Sequence, residues 1–146
     1  MKKVIFFGLI ILLIVVSCLQ QKSLPMEGVW HVVSWENKKG DSLVSKFQRD
    51  FTGSEMKIWS KNHFAFVGRY KADTIFQDNC GGGTFKIEGT HYEESFLYFP
   101  DKSAVGTTIK LLLEIKNDTL IQTWPVDENW QVIKTNYSIQ KLTRLE

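Results

Sequence analysis

Beyond its first eighteen residues, the chain is a series of short blocks in which apolar and polar positions alternate. Alternation with period two is the signature of a strand with one buried face. Such blocks, rich in β-branched and aromatic residues, fall at residues 28–36, 56–60, 63–67, 84–88, 91–99, 107–115, 119–124, 130–133 and 137–142. Between them stand short polar or glycine-containing turns: residues 37–41, Lys61 with Asn62, Gly89 with Thr90, and residues 116–118. Asn and Gly tolerate positive φ, which tight hairpins require. Residues 43–52 differ, because Leu43, Val44, Phe47 and Phe51 recur at a spacing near four; they predict a short helix or a lid-like loop. Residues 69–78 show no clear period and are expected to loop across one end. About eight to ten short strands with at most one helix indicate an all-β sandwich or an up-and-down barrel.

The first residues follow another rule. Lys2 and Lys3 precede an unbroken run without charge from Val4 to Val16. A membrane-crossing helix needs about 20 apolar residues, so this shorter run matches the core of a signal peptide. It ends at Val16, Ser17 and Cys18, which resembles a bacterial lipoprotein signal: a lipid-modified cysteine would become the new N-terminus. Several acyl chains make a durable anchor, each buried CH₂ contributing about 0.8 kcal/mol. No Asp stands next to Cys18, where Leu19, Gln20 and Gln21 follow, which favours the outer membrane, facing the periplasm, if the host has two membranes. The expected organisation is a signal peptide (1–17), a lipidated tether (18–27) and one β domain (28–146).

Charge removes one class of partner. The chain carries 18 Lys and Arg against 16 Asp and Glu, and two of the lysines lie in the leader. The balance that remains argues against a nucleic-acid binder, which would show a basic stripe. With Cys18 lipidated, Cys80 has no partner for a disulfide, so stability must come from a core. Five Trp and ten Phe supply the bulk for it.

Strand parity then sorts the candidate chemistry. Tyr92, Glu94, Phe96 and Tyr98 share one face, so Glu94 is expected to point inward among aromatic rings. A buried carboxylate must be paired or hydrogen-bonded, either as a structural anchor or to orient a ligand. Ile109, Leu111, Leu113 and Ile115 form an apolar face expected in the core. His63 has the parity opposite to Phe64 and Phe66, and is expected outside if those rings are inside. On the first strand, His31 and Trp35 are expected to face outward. The glycine run Gly81, Gly82 and Gly83 is followed by a strand rather than a helix, so it offers no phosphate loop; a bend or bulge is expected. His31, His63 and His91 sit on different strands without ligand spacing, and Cys80 lacks an evident base. Neither metal, cofactor nor catalytic residue is expected.

Gly28, Val29 and Trp30 open the first strand, and here the chain resembles the lipocalin-like (calycin) barrels, in which such a Trp closes the barrel floor beneath a basic residue near the last strand. Lys141 and Arg144 are the candidates for that residue. The chain is more closely similar to small lipocalin-like bacterial lipoproteins of the Bacteroidetes type. Ser34 and Glu36, Lys57, His63, Phe64 and Phe66, the run from Gly81 to Phe85, and Tyr92 with Glu94 carry that likeness. The resemblance implies an antiparallel up-and-down β-barrel with Trp30, Trp59, Phe64, Phe66, Tyr92, Glu94 and Phe96 as candidate interior, ligand-facing residues. Function in such families is largely undefined, so the resemblance implies a barrel more than an activity. Joined to the signal sequence and the lack of a catalytic constellation, it leads to the expectation of a non-catalytic protein, anchored to the membrane through Cys18, that holds a small hydrophobic ligand in the barrel. The alternative is a filled barrel acting as an envelope interaction or structural module.

Overall fold

A computed structural model describes residues 23–145; the expected signal peptide and Cys18 lie outside them. The described chain forms β1 (Gly28–Lys39), β2 (Ser42–Lys46), β3 (Thr52–Ser60), β4 (His63–Ala72), β5 (Ile75–Glu88), β6 (His91–Tyr98), β7 (Thr108–Lys116), β8 (Thr119–Trp124) and β9 (Tyr137–Arg144). Their order in the sheet is β2-β1-β3-β4-β5-β6-β7-β8-β9, and β9 pairs back onto β1. The result is a closed antiparallel barrel of eight strands with β2 added outside the ring. Closure removes the exposed edges that an open sheet of this size would carry.

β1 closes the ring because it serves three partners. Its first residues, Gly28 to His31, pair with β3, and its last, Glu36 to Lys39, pair with β2. Along most of its length it pairs with β9. The hand-over from β3 to β2 leaves the start of β3 without β1 beside it. Aromatic side chains fill that place: Trp35, Phe51 and Tyr70 pack with ring centroids 5.5–5.8 Å apart, and Phe47 joins them.

Residues 43–52 are therefore no helix. Their spacing near four comes from β2 followed by a tight return in which Phe47 and Phe51 bridge each other. The only helical turn among the described residues is Lys102–Ala104, a 3₁₀ turn. Residues 69–78 correct a second expectation. They form the end of β4 and the start of β5, a hairpin turning at Asp73 (φ 55°). The period was hidden because, beyond the buried Tyr70, this hairpin projects with both faces wet, leaving Ile75 and Phe76 71% and 64% exposed. Residues 130–133 make only an isolated bridge, Val126 with Val132, instead of a strand.

Two bulges decide which side chains face inward. In β1 the register shifts between Val32 and Ser34, so Trp30 and Val32 are buried, Val33 faces solvent, and Trp35 returns to the inside. The outward placement expected for Trp35 is thus overturned by one inserted residue. In β6 the register shifts where Gly82 and Gly83 meet Tyr98 and Phe96. Tyr92, Glu94 and Phe96 point inward as expected, but Tyr98 is thrown out and is 74% exposed. The glycines make this approach possible: a Cβ on Gly83 would collide with the Ser95 carbonyl.

Candidate functional site: the barrel interior

The interior is built in tiers along β3, whose inward residues are Trp59, Lys57 and Glu55. Successive inward residues lie about 6.6 Å apart along a strand, so each governs one level between the floor and the open end.

The floor is apolar. Trp30 is 1% exposed, and its indole Nε1 donates to the Met26 carbonyl at 2.8 Å. The Arg144 guanidinium lies 4.4 Å from the Trp30 ring centroid and donates to the Glu27 carbonyl at 2.6 Å. A cation over an indole face is attracted by the ring quadrupole, so the last strand pins the first. Of the two candidate basic residues, Arg144 takes this place, and Lys141 is exposed. Above Trp30, Trp59 Nε1 donates to the Tyr92 hydroxyl at 2.7 Å, among buried Phe85, Leu111, Leu120 and Leu142.

The next tier is charged. Lys57 extends inward with its Nζ donating to Gln122 Oε1 at 2.8 Å and lying 3.5 Å from Glu94 Oε1. The same ammonium is 5.4 Å from the Phe66 ring centroid and 5.6 Å from that of Trp59. Glu94 is 2% exposed, so its carboxylate is matched inside the protein by a cation. The anchor that its parity demanded is Lys57.

The third tier surrounds Glu55, which is 1% exposed. It accepts from Tyr70 Oη at 3.2 Å, Asn79 Nδ2 at 2.5 Å and Gln140 Nε2 at 3.4 Å. Burial, and then the neighbouring negative charge, raise both inner phenols above their ordinary value: Tyr70 beside Glu55 and Tyr92 beside Glu94. Both stay neutral donors well into alkali.

Between the second and third tiers lies a cavity of about 190 Å³. Apolar walls from Phe66, Phe96, Ile109, Leu111 and Trp124 face polar groups from Glu55, Lys57, Asn79, Glu94, Gln122 and Gln140, with Trp35 completing the lining. A second space of about 390 Å³ lies toward the open end, and Trp35 and Asn79 belong to its walls as well. For scale, an apolar cavity of about 150 Å³ can hold a benzene molecule.

Of the seven interior residues expected from sequence, all are buried, but they divide. Phe66, Glu94 and Phe96 line the cavity; Trp30, Trp59, Phe64 and Tyr92 build the closed packing around and below it. Glu55, Gln122, Gln140 and Trp35 are interior residues that the sequence reading missed, and Lys57 was noted only as part of a likeness. A signal for two of them was present. Trp59 shares parity with Lys57 and Glu55, so placing Trp59 inside places the other two there. Met56 and Ile58 obscured it, because their hydrophobicity suggests the opposite face; both are in fact outside, at 39% and 41% exposure.

His63 is exposed on β4 while Glu94 is buried inside β6, so the two lie on opposite faces of the barrel wall and share no chemistry. Cys80 is half-buried and free, beside Gly81 and Phe99. Among the described residues, no group of three or more His, Cys, Asp or Glu is placed to hold a metal ion. Compared with models of known protein families and with curated proteins, the chain matches none.

Proposed function

We propose that this protein is a lipocalin-like carrier or sensor, lipid-anchored in the cell envelope through Cys18, that holds a small hydrophobic molecule inside its barrel. The observation that carries the reading is the interior cavity. A barrel of eight strands can be filled entirely by side chains, whereas this one keeps about 190 Å³ open between aromatic walls and a short list of polar groups. Such a mixture is the usual make-up of a small-molecule site, in which apolar surface supplies affinity and a few polar groups orient the ligand. The Trp30–Arg144 floor supports the family likeness, since it joins the Gly-x-Trp of the first strand to a basic residue of the last. Native mass spectrometry of the protein extracted from its own membranes tests the reading. A co-purified small molecule is expected; repeated isolation of the bare chain, with no apolar probe bound, would overturn it. For the anchor, Cys18→Ser should move the protein from the membrane fraction to the soluble one.

A second reading, an interaction module of the envelope, has one observation in its favour. Met56 pairs with Val67 and Ile58 with Ala65 on the outer face of β3 and β4, where Met56, Ile58 and Val67 are all exposed. An apolar outer stripe of this kind marks a surface that another protein can cover. Cross-linking in intact envelopes distinguishes the two: a stable protein partner captured through Val67, with an empty barrel, favours the second.

A further inference from the structure

Almost every polar group around the cavity is spoken for, and the exceptions are of one kind. Glu55 receives three hydrogen bonds, and Glu94 faces the Lys57 ammonium. Among the described residues, two buried side-chain polar atoms have no hydrogen-bond partner: Trp35 Nε1 and Gln122 Nε2. Both residues line the same cavity, and Gln122 is fully buried. Both atoms are donors. The indole nitrogen can be nothing else, and the amide of Gln122 is oriented by Lys57, which has only protons to offer and therefore takes the oxygen. Turning the amide over would set its NH₂ against an ammonium.

These donors stand in one row. Trp35 on β1 is the cross-strand partner of Gln140 on β9, and Gln140 is the partner of Gln122 on β8. The Gln140 side chain between them is committed to Glu55. Native interiors rarely leave buried donors unpaired, since each such group carries its full desolvation cost. Here two of them border an open volume.

We infer that the ligand is a compact, electrically neutral molecule with a ring-sized apolar body and acceptor oxygens that take the protons of Trp35 Nε1 and Gln122 Nε2. This rests on the small-molecule reading above and narrows it to one chemical class. Neutrality follows from the charges and the unpartnered donors taken together. Glu55 and Glu94 already set two carboxylates against the single ammonium of Lys57, so an anionic ligand would add a third negative charge among buried groups. A cationic ligand would be drawn by the excess carboxylate, but an ammonium has no lone pair to offer and would leave both N–H donors unpaired. The volume admits about one ring with a short substituent, by comparison with an engineered cavity of roughly 150 Å³ that binds benzene.

Equilibrium dialysis of the purified full chain against four probes of one size tests this: acetophenone, ethylbenzene, benzoate and benzylammonium. Acetophenone should bind about tenfold more tightly than ethylbenzene, the effect of one or two neutral hydrogen bonds, and the two ions more weakly than either. Trp35→Phe keeps a ring and removes one donor; Gln122→Met keeps the length of the side chain and removes the other without adding charge, leaving Lys57 its contact with Glu94. Each variant should cut the preference for acetophenone over ethylbenzene several-fold, and the ratio cancels any general change in the cavity. Acetophenone and ethylbenzene binding alike in the parent chain would mean that water satisfies the donors, and would overturn the inference while leaving the small-molecule reading standing. Benzoate or benzylammonium binding best would overturn the neutral class. Failure of all four probes to bind would overturn this inference, and together with a bare chain in native mass spectrometry it would remove the small-molecule reading itself.

Discussion

The floor of this barrel and its middle are made by the same strands and obey opposite rules. At the floor, Trp30, Trp59, Tyr92, Leu120 and Leu142 are close-packed, and their few polar atoms are satisfied one to one. One and two inward positions higher, β3 sends Lys57 and Glu55 into the interior, and the packing opens into a cavity. Below, stability comes from area removed from water and from fit. Above, it depends on each buried charge keeping its partner, because an unpaired ion inside a protein is far costlier than the pair is favourable. One end is thereby free to be rigid, and the other is equipped to be selective.

The largest effects should test that division directly. Trp30→Ala should cost about 3–5 kcal/mol in chemical denaturation, as for other buried aromatics, and no change to a neighbouring polar group should restore it. Lys57→Met should cost a similar amount, about 3–5 kcal/mol, by stranding Glu94. Unlike the floor variant, it should be rescued by a second change: Lys57→Met with Glu94→Leu should recover most of the loss, since replacing a buried pair by apolar residues is often neutral. A double variant as unstable as the single one would show that Lys57 and Glu94 are not a coupled pair.

An intermediate effect should appear in alkali. Burial and the adjacent carboxylates raise the Tyr70 and Tyr92 phenols above their ordinary 10.0. A group with a raised folded value contributes stability that is complete below the unfolded pKa and is lost as pH climbs past it. Above pH 10 the unfolded chain releases both protons while the folded chain retains them, so stability should fall by about 1.4 kcal/mol per pH unit for each tyrosine. Tyr70→Phe should roughly halve that slope; an unchanged slope would place the alkaline transition elsewhere.

The smallest effect belongs to the outside. Arg69 and Asp78 form a two-bonded ion pair across the β4–β5 hairpin, which holds the Asp78 carboxyl below its usual range. Both are exposed, and solvent and salt screen such pairs. Arg69→Ala should leave the denaturation midpoint unmoved, and a clear shift would mean that this hairpin is coupled to the interior.

How far the interior could be read from the chain depends on where its regularity is interrupted. Phe64, Phe66, Tyr92, Glu94 and Phe96 were legible because β4 and the first part of β6 run without a bulge, so parity from one aromatic carries to the next. Trp35 and Tyr98 were not, each lying beyond an inserted residue that reverses parity. The tight return at residues 47–51 was hidden for another reason: Phe47 and Phe51 bridge each other across a turn, and their spacing imitates a helical turn. The pairing of Lys57 with Glu94 links residues from β3 and β6, which share no sheet edge, and only opposite walls of a closed ring bring them together.

Local chemistry along the chain was enough to specify strands, turns and an all-β class, because alternation and turn residues act over a few neighbours. It was also enough to mark Gly28 as the start of the first strand. Closure of β1 onto β9, the seat of Arg144 over Trp30, the charged tiers on β3 and the pair of unmatched donors at the cavity required the folded barrel. Each depends on contacts between residues far apart in sequence, and on bulges whose effect on facing is felt only through the partner strand.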